Sequence, residues 1–282
     1  MSHQIIACID DSASAPGVCD WSAWTSQRLD APLTLLHVLD RTNQLSAADL
    51  SGNIGLGTRE HLLEELTKLD EQRGKLALEQ GKVMLEDAKK RVEQAGVSEV
   101  TTRQRHDDLI RTLTELEADI RLLVMGRQGK STQSMVTQVG SQLESAIRTL
   151  HCPILVALPH FKVPQNVMIA YDASPTSRKI LSLMLANPKL LKGIKCHLVM
   201  VGDDPKGHLE AAHRILTKSG FDVVAALRRG ELESTLQNYV KEQEIDLMVM
   251  GAYGHSAIRR FILGSHTTKM LSQTQIPLLL LR

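Results

Sequence analysis

Leu123-Val124-Met125-Gly126 returns as Met248-Val249-Met250-Gly251, 125 residues on when counted from Gly126 to Gly251. Gly140-Ser141 returns as Gly264-Ser265, and Pro153-Ile154-Leu155-Val156 as Pro277-Leu278-Leu279-Leu280, both at an offset of 124. Ile6-Ala7-Cys8-Ile9-Asp10 is matched by Met168-Ile169-Ala170-Tyr171-Asp172 at an offset of 162. Markers recurring in one order along a chain are the mark of duplication. The offsets of 162 and 125 differ by 37, so the first copy carries 37 extra residues, and one more lies between Gly129 and Gly140.

Each copy alternates strand and helix. Short apolar or β-branched runs lie at 4–10, 33–39, 97–104, 122–126 and 153–158, and again at 166–172, 195–201, 222–227, 246–251 and 277–281. Near-continuous apolar runs suit strands of a parallel sheet covered on both faces. Segments of helical length between them, such as 177–186 and 231–243, define an open α/β sheet. Pro159 and Pro164 bracket a linker, giving a first domain at 1–158, a linker at 159–164 and a second domain at 165–282.

The extra residues form a charged, leucine-rich insertion over about 45–95. Leu62, Leu69, Leu76 and Val83 recur every seven residues, with Leu66 between the first two, which is one helical face. Two readings of that face stand: packing on its own domain, or a protein-partner surface over 58–95 or a lid over a site. Gly74 and Gly81 each cost about 1 kcal/mol against Ala and predict a bend or break.

Composition narrows the function classes. With 282 residues the chain is long enough for two domains with ordinary cores. Lys plus Arg is 33 against 32 for Asp plus Glu, which disfavours a dedicated nucleic-acid binder. Aromatics at 3% leave little to stack on bases. No apolar run approaches the ~18 residues of a membrane helix, and the N-terminus lacks a secretory start, so the expectation is a cytoplasmic protein without a membrane partner. Cys8, Cys19, Cys152 and Cys196 form no C-x-x-C pair and read as small buried hydrophobes. The 11 histidines form no H-x3-H pair and stand beside no cysteine cluster, so no zinc site is expected.

In open α/β sheets ligands bind at the carboxyl ends of the strands. In the second copy Gly251-Ala252-Tyr253-Gly254 ends a strand, and nine residues separate Gly254 from Gly264-Ser265. Glycine lets backbone approach a ligand closely. Gly264-Ser265 opens a helix expected over 265–272, whose free amides and partial positive charge suit phosphate, and the Ser265 hydroxyl adds a donor. Asp172, at the first strand end, either accepts from an adenine amino group or ribose hydroxyl, or caps the helix after Ser174-Pro175. Val201 ends the second strand, where it either packs on a ring beside a backbone that reads a base edge or is simply core. The first copy offers Asp10, Val38, Gly126 and Gly129, then ten residues and Gly140-Ser141. Gly129-Lys130-Ser131 mimics the end of a P-loop, but that loop needs four residues between its glycines, and Val124 stands where the first belongs.

The strand-end aspartate, Met250-Gly251 and the G-x2-G-x9-G-[ST] spacing together resemble the universal stress protein family. The likeness spans the whole chain as two tandem domains; the second copy fits without a gap and the first departs by one residue. The resemblance implies two open five-stranded parallel sheets, order 3-2-1-4-5, Rossmann-like and flanked by helices. It implies pairing of 153–158 with 277–281 in an intramolecular pseudo-dimer, and leaves a further homodimer open. It also implies an adenine nucleotide, ATP with Mg2+ or Mn2+. Asp172, Ala173 and Val201 would then hold the adenosine end, and Met250, Gly251 and Gly254 would lie along the ribose and phosphates. Gly264, Ser265 and the His266 backbone would bind phosphates. Asp10, Val38, Gly126, Gly129, Gly140 and Ser141 form the lesser, first site. A family glycine in the third-strand loop is met by Gly230, but the first copy has Arg105-His106-Asp107-Asp108, side chains large enough to fill or reshape the pocket.

The function implied is an ATP-binding, nucleotide-linked stress-response regulator. One alternative is a slow ATPase or autophosphorylating protein, for which His255, His266, Arg259 and Arg260 lie nearest the motif without any being assignable as catalytic. The other is a nucleotide-free interaction scaffold.

Overall fold

The computed structural model describes residues 3–39, 56–129, 139–251 and 274–281; within the long helix, side chains are described from Glu65 onward except at Asp70. The first half runs β1 (Gln4–Cys8), α1 (Ala15–Leu29), β2 (Leu33–Leu39), α2 (Leu56–Gln94), β3 (Val100–His106), α3 (Leu109–Leu116), β4 (Ile120–Gly126), α4 (Ser141–Thr149) and β5 (Ile154–Ala157). The second runs β6 (Asn166–Ala170), α5 (Pro175–Ala186), β7 (Lys195–Val201), α6 (His208–Lys218), β8 (Val223–Arg228), α7 (Leu232–Glu242), β9 (Leu247–Gly251) and β10 (Leu278–Leu281). The helix expected over 265–272 lies outside the described residues.

Each half keeps the expected strand order, but the two sheets are one. The ten strands follow the order β3-β2-β1-β4-β5-β10-β9-β6-β7-β8. Neighbours pair in parallel except β10 on β5, which is antiparallel with Leu279 opposite Leu155. Backbone hydrogen bonds thus carry the sheet across the boundary between the copies.

The apolar runs are apolar on both sides because the sheet is covered on both sides. Ile5 and Ala7 of β1, Leu122 and Val124 of β4, and Leu279 and Leu281 of β10 pack with α1, α2, α5 and α6. Ile6, Leu123, Met125, Leu278 and Leu280 pack with α3, α4 and α7. Alternate residues of a strand point to opposite faces, so a strand buried in the middle layer has no polar side to show. β3 begins at Val100 rather than at 97, because Gly96, at φ +94°, turns the chain out of α2 first.

The insertion departs from expectation in two ways. α2 is one helix of 39 residues that passes through both glycines. A Cβ at Gly81 would collide with the side chains of Gln104 and His37, so this glycine lets the helix close on the sheet. The packed face is also not the seven-residue row. Leu85, Ala88 and Val92 are buried, whereas Leu69, Leu76 and Val83 are 47%, 63% and 60% exposed. Packing on its own domain therefore uses the opposite side of the helix from the row that the repeat picks out.

Among the cysteines Cys19, Cys152 and Cys196 are buried, and Cys8 is partly exposed. Burial pushes the Cys8, Cys152 and Cys196 thiols up to about 12 and that of Cys19 to about 11, so they act as small hydrophobes. Among the described residues no helix is long and apolar enough to cross a membrane.

The stretch after β5 is pinned to both halves. A Cβ at Gly17 of α1 would collide with the Leu158 carbonyl, so the chain crosses α1 in close contact. Farther on, Asp246 accepts from Lys162 Nζ at 2.6 Å and from the amides of Gln165 and Asn166 at 2.8 and 3.0 Å. Burial pushes the Asp246 carboxyl up, but the Lys162 ammonium and these two amides outweigh it and hold its pKa below the ordinary value. A depressed carboxyl pKa contributes stability above the unfolded value of about 3.9, which is lost as pH falls through the folded value. Asp246→Ala is expected to destabilise the chain by about 1–3 kcal/mol at neutral pH. Urea unfolding at neutral pH and in acid checks this, with the gap to wild type narrowing in acid.

Candidate functional site

In both halves the first strand sits where the chain changes direction across the sheet, with the second strand on one side and the fourth on the other. Such a switch point leaves a crevice at the carboxyl ends of the strands. Register fixes what lies there. Ala170 is opposite Val199, which makes Asp172 level with Val201. Ile169 is opposite Val249, which makes Gly251 level with Tyr171. Ala7 is opposite both Leu35 and Val124, so Asp10 is level with Val38, and Gly126 with Ile9. Aspartate, valine and glycine therefore stand on three adjacent strands twice over.

The aspartates turn the chain rather than cap the helix. Asp172 Oδ1 accepts from Ser174 N at 3.0 Å, and Asp10 Oδ1 from Ser12 N at 3.1 Å. The cap of α5 is Ser174, which accepts from Ser177 N at 3.2 Å. Between them Ala173 holds the left-handed conformation at φ 58°. Asp172 and Asp10 are both half-buried, as are Val201 and Val38.

The strand-end glycines admit the helix that follows the first strand. A Cβ at Gly126 would lie 2.7 Å from Ser14 Cβ, and one at Gly251 would lie 2.8 Å from Thr176 Cγ2. Ser14 and Thr176 were not singled out by any sequence motif, because nothing in the spacing marks what presses on a glycine. Met250, one residue earlier, is buried in the core.

In the first half the structure brings the glycine motif together. A Cβ at Gly129 would lie 3.4 Å from Asp10 Oδ2, and one at Gly140 would lie 3.3 Å from Gly129 N. Gly140 N donates to Arg127 O at 3.0 Å, which ties the start of α4 to the loop. α4 begins at Ser141 with no side-chain cap among the described residues, so its first amides face the loop as donors. In the second half Gly254, Gly264, Ser265 and His266, with His255, Arg259 and Arg260, lie outside the described residues.

The third-strand loops differ as expected in composition. Gly230 takes φ +131°, a conformation suited to glycine. In the first half Arg105 Nη1 reaches Glu115 Oε2 at 3.0 Å, and Asp108 caps α3 by accepting from Arg111 N at 2.8 Å. These charges are directed onto α3. Beside the second crevice, Asp204 accepts from Leu209 N at 2.8 Å and His208 N at 2.9 Å, and these amides hold its carboxyl below the ordinary range.

One link was invisible in the sequence. Arg127, a variable position of the glycine motif, donates through Nη1 to Thr274 O at 2.7 Å. Burial lowers its pKa. The bond joins the first half's loop to the residues leading into β10.

Comparison with known proteins identifies the family over both halves. The Universal stress protein family pattern matches residues 1–157 and 164–282. Universal stress protein Slr1230 of Synechocystis sp. is 34% identical over 285 residues, which cover 99% of both chains. Among solved structures, a universal stress protein from Archaeoglobus fulgidus DSM 4304 superposes with a TM-score of 0.70 at 18% identity, over 99% of this chain and 96% of its own. A functionally unknown protein from Pseudomonas aeruginosa PAO1 gives 0.61 at 15% identity, over 99% of this chain and 92% of its own. The chain belongs to the universal stress protein family, with the family pattern present twice in tandem.

The two first-half glycines should respond differently to a methyl group. Gly126→Ala meets a β-carbon fixed to backbone and is expected to cost about 1–3 kcal/mol. Gly129→Ala makes an ordinary contact and is expected to cost under about 0.5 kcal/mol. Adding Ser14→Gly to Gly126→Ala should restore most of the loss in a double-mutant cycle read by urea unfolding.

Proposed function

We propose that this protein is an ATP-binding regulator of a stress response, acting in the cytoplasm, with its principal nucleotide site in the second of two domains at 1–158 and 165–282 joined by the linker at 159–164. The observation that carries the reading is the placement of Asp172 opposite Val201, with Gly251 one residue back opposite Tyr171, at three adjacent strand ends at a switch point. The unbroken spacing to Gly254, Gly264 and Ser265 follows directly in the sequence.

The residues fit the ligand. Asp172 is held through Oδ1 by the Ser174 amide, and a carboxylate at this strand end has the acceptor chemistry for the adenine amino group or a ribose hydroxyl. Val201 offers an apolar surface to the ring, and Ala173 follows Asp172 in the chain. Gly251, following Met250, has no side chain to obstruct the ribose, and Gly254 would lie along the phosphates. Gly264, Ser265 and the His266 amide would meet the phosphates at a helix start, where backbone N–H groups and the helix dipole favour anions. Mg2+ or Mn2+ would neutralise phosphate charge there.

The first half has matching parts with one extra residue between its second and third glycines. Gly129 lies against Asp10, and the Gly140 amide already donates to Arg127 O. With Val38, Gly126 and Ser141 they make the weaker site. A ligand shifts a protein only by binding its states unequally. The Arg127–Thr274 bond is a physical connection between the halves through which occupancy would be felt.

The test is nucleotide content and stoichiometry. Freshly purified protein is denatured and any released nucleotide identified; stripped protein is then titrated with ATP and Mg2+ by calorimetry. About one ATP per chain, abolished by Gly264→Asp and weakened about tenfold by Asp172→Ala, is the expected result. Two per chain with one surviving Gly264→Asp would make the sites equivalent. No bound nucleotide and no binding at millimolar ATP would overturn the reading.

A further inference from the structure

Among the described residues, no crossover helix of the central strands β4, β5, β10 and β9 lies on the face that carries α1 and α5. Both first crossovers lead outward, α1 toward β2 and α5 toward β7. The two halves fill the uncovered strip differently. With Asp10 set on Asp172, Trp21 of α1 falls on Leu183 of α5. On the first half's side Trp21 is buried, edge-on to Trp24 at 5.4 Å and to Phe161 at 5.0 Å. On the second half's side stand Leu183 and Met184, and a cavity of about 300 Å³ opens between them and the sheet residues Leu122, Val249 and Leu279. That is the small end of the range of about 300–1,000 Å³ typical of ligand pockets.

The cavity is apolar apart from Arg121, Asn187 and His3. No aspartate or glutamate lines it, and Arg121 does. Arg121 is half-buried; Nη1 donates to Leu29 O at 2.9 Å and Nη2 to Asn187 Oδ1 at 2.7 Å, both neutral oxygens. Among the described residues no carboxylate pairs with it. A guanidinium has five N–H donors, so most of its capacity is unused. The 125-residue offset sets Arg121 on Asp246, whose charge is met by Lys162 at 2.6 Å. Nearby, Arg28 Nη2 donates to Lys192 O at 2.8 Å, and its buried Nε has no partner among the described residues. A half-buried cation with no acid beside it favours an anion, and the bidentate fork of arginine suits a carboxylate. None of the residues assigned to the nucleotide lines this cavity.

We propose that this cavity binds a small monocarboxylic acid with an apolar tail, the tail lying between α5 and the sheet and the carboxylate on Arg121. Acid and tail are both required: the walls select the tail and the guanidinium selects the head group.

The test titrates the full-length chain with octanoate and, separately, with octan-1-ol, by calorimetry and by the shift in melting temperature. Octanoate is expected to bind once per chain and about tenfold or more tighter than the alcohol. Arg121→Ala should remove that preference, Arg121→Lys should keep most of it, and Leu183→Trp should abolish binding of both ligands by occupying the space. Binding should persist in Gly264→Asp, which separates this site from the nucleotide. Equal affinity for acid and alcohol, an unchanged preference in Arg121→Ala, or undiminished binding in Leu183→Trp would overturn the proposal. So would the absence of any octanoate effect at millimolar concentration. Circular dichroism confirms that each variant is folded, and Leu183→Trp decides the matter if Arg121→Ala is not.

Discussion

The antiparallel pairing of β10 on β5 is the contact from which the rest of the architecture follows. Each half alone would end in an open strand edge, with a row of backbone donors and acceptors unmatched. Setting Leu279 opposite Leu155 satisfies both edges at once and makes one sheet of ten strands. The edges that remain are β3 and β8, and β3 is largely polar and exposed along its length. Because the joined strands run in opposite directions, the two halves are related by an approximate twofold. The carboxyl ends of the first half's parallel strands therefore point opposite to those of the second, and the two crevices lie at opposite edges of the sheet.

Duplication supplied two copies of a crevice, and packing then made them unequal. The aspartate–valine–glycine register is the same in both, since it depends only on strand pairing. What surrounds it is not. The first half carries α2 on its outer strands. The second half has Gly230 where the first has a charged loop. The strip over the central strands shows the same divergence: two tryptophans and Phe161 fill one side, and leucine and methionine leave room on the other. A twofold fold with unequal filling allows one half to take up a ligand while the other supports it.

Much of this was readable from residue order. Apolar runs at fixed offsets predicted the strands and their parallel pairing, because a strand covered on both faces must be apolar at every position; the joint between the halves was implied only by the family resemblance. Asp10, Asp172 and the strand-end glycines were legible for a related reason: glycine at a strand end followed by a helix start is a local pattern. The face on which α2 packs was not legible. Leu69, Leu76 and Val83 have a stronger repeat than Leu85, Ala88 and Val92, yet the second set is buried. Periodicity reports that a helix has an apolar face, not which of two faces meets the sheet; Gly81, admitting the close approach to Gln104 and His37, decided that.

The sequence by itself determined the duplication, the fold class and the identity of the strand-end residues, since these depend on local pattern and on the two-residue alternation of strands. Only the tertiary structure decided that two sheets are one, that Ser174 rather than Asp172 caps α5, and that Arg127 reaches Thr274 across the halves. It alone left Arg121 beside an apolar cavity without an acid. Each of these joins residues far apart in the chain or resolves a competition between neighbouring side chains. Such contacts are selected by the packing of whole elements, so no short stretch of sequence encodes them.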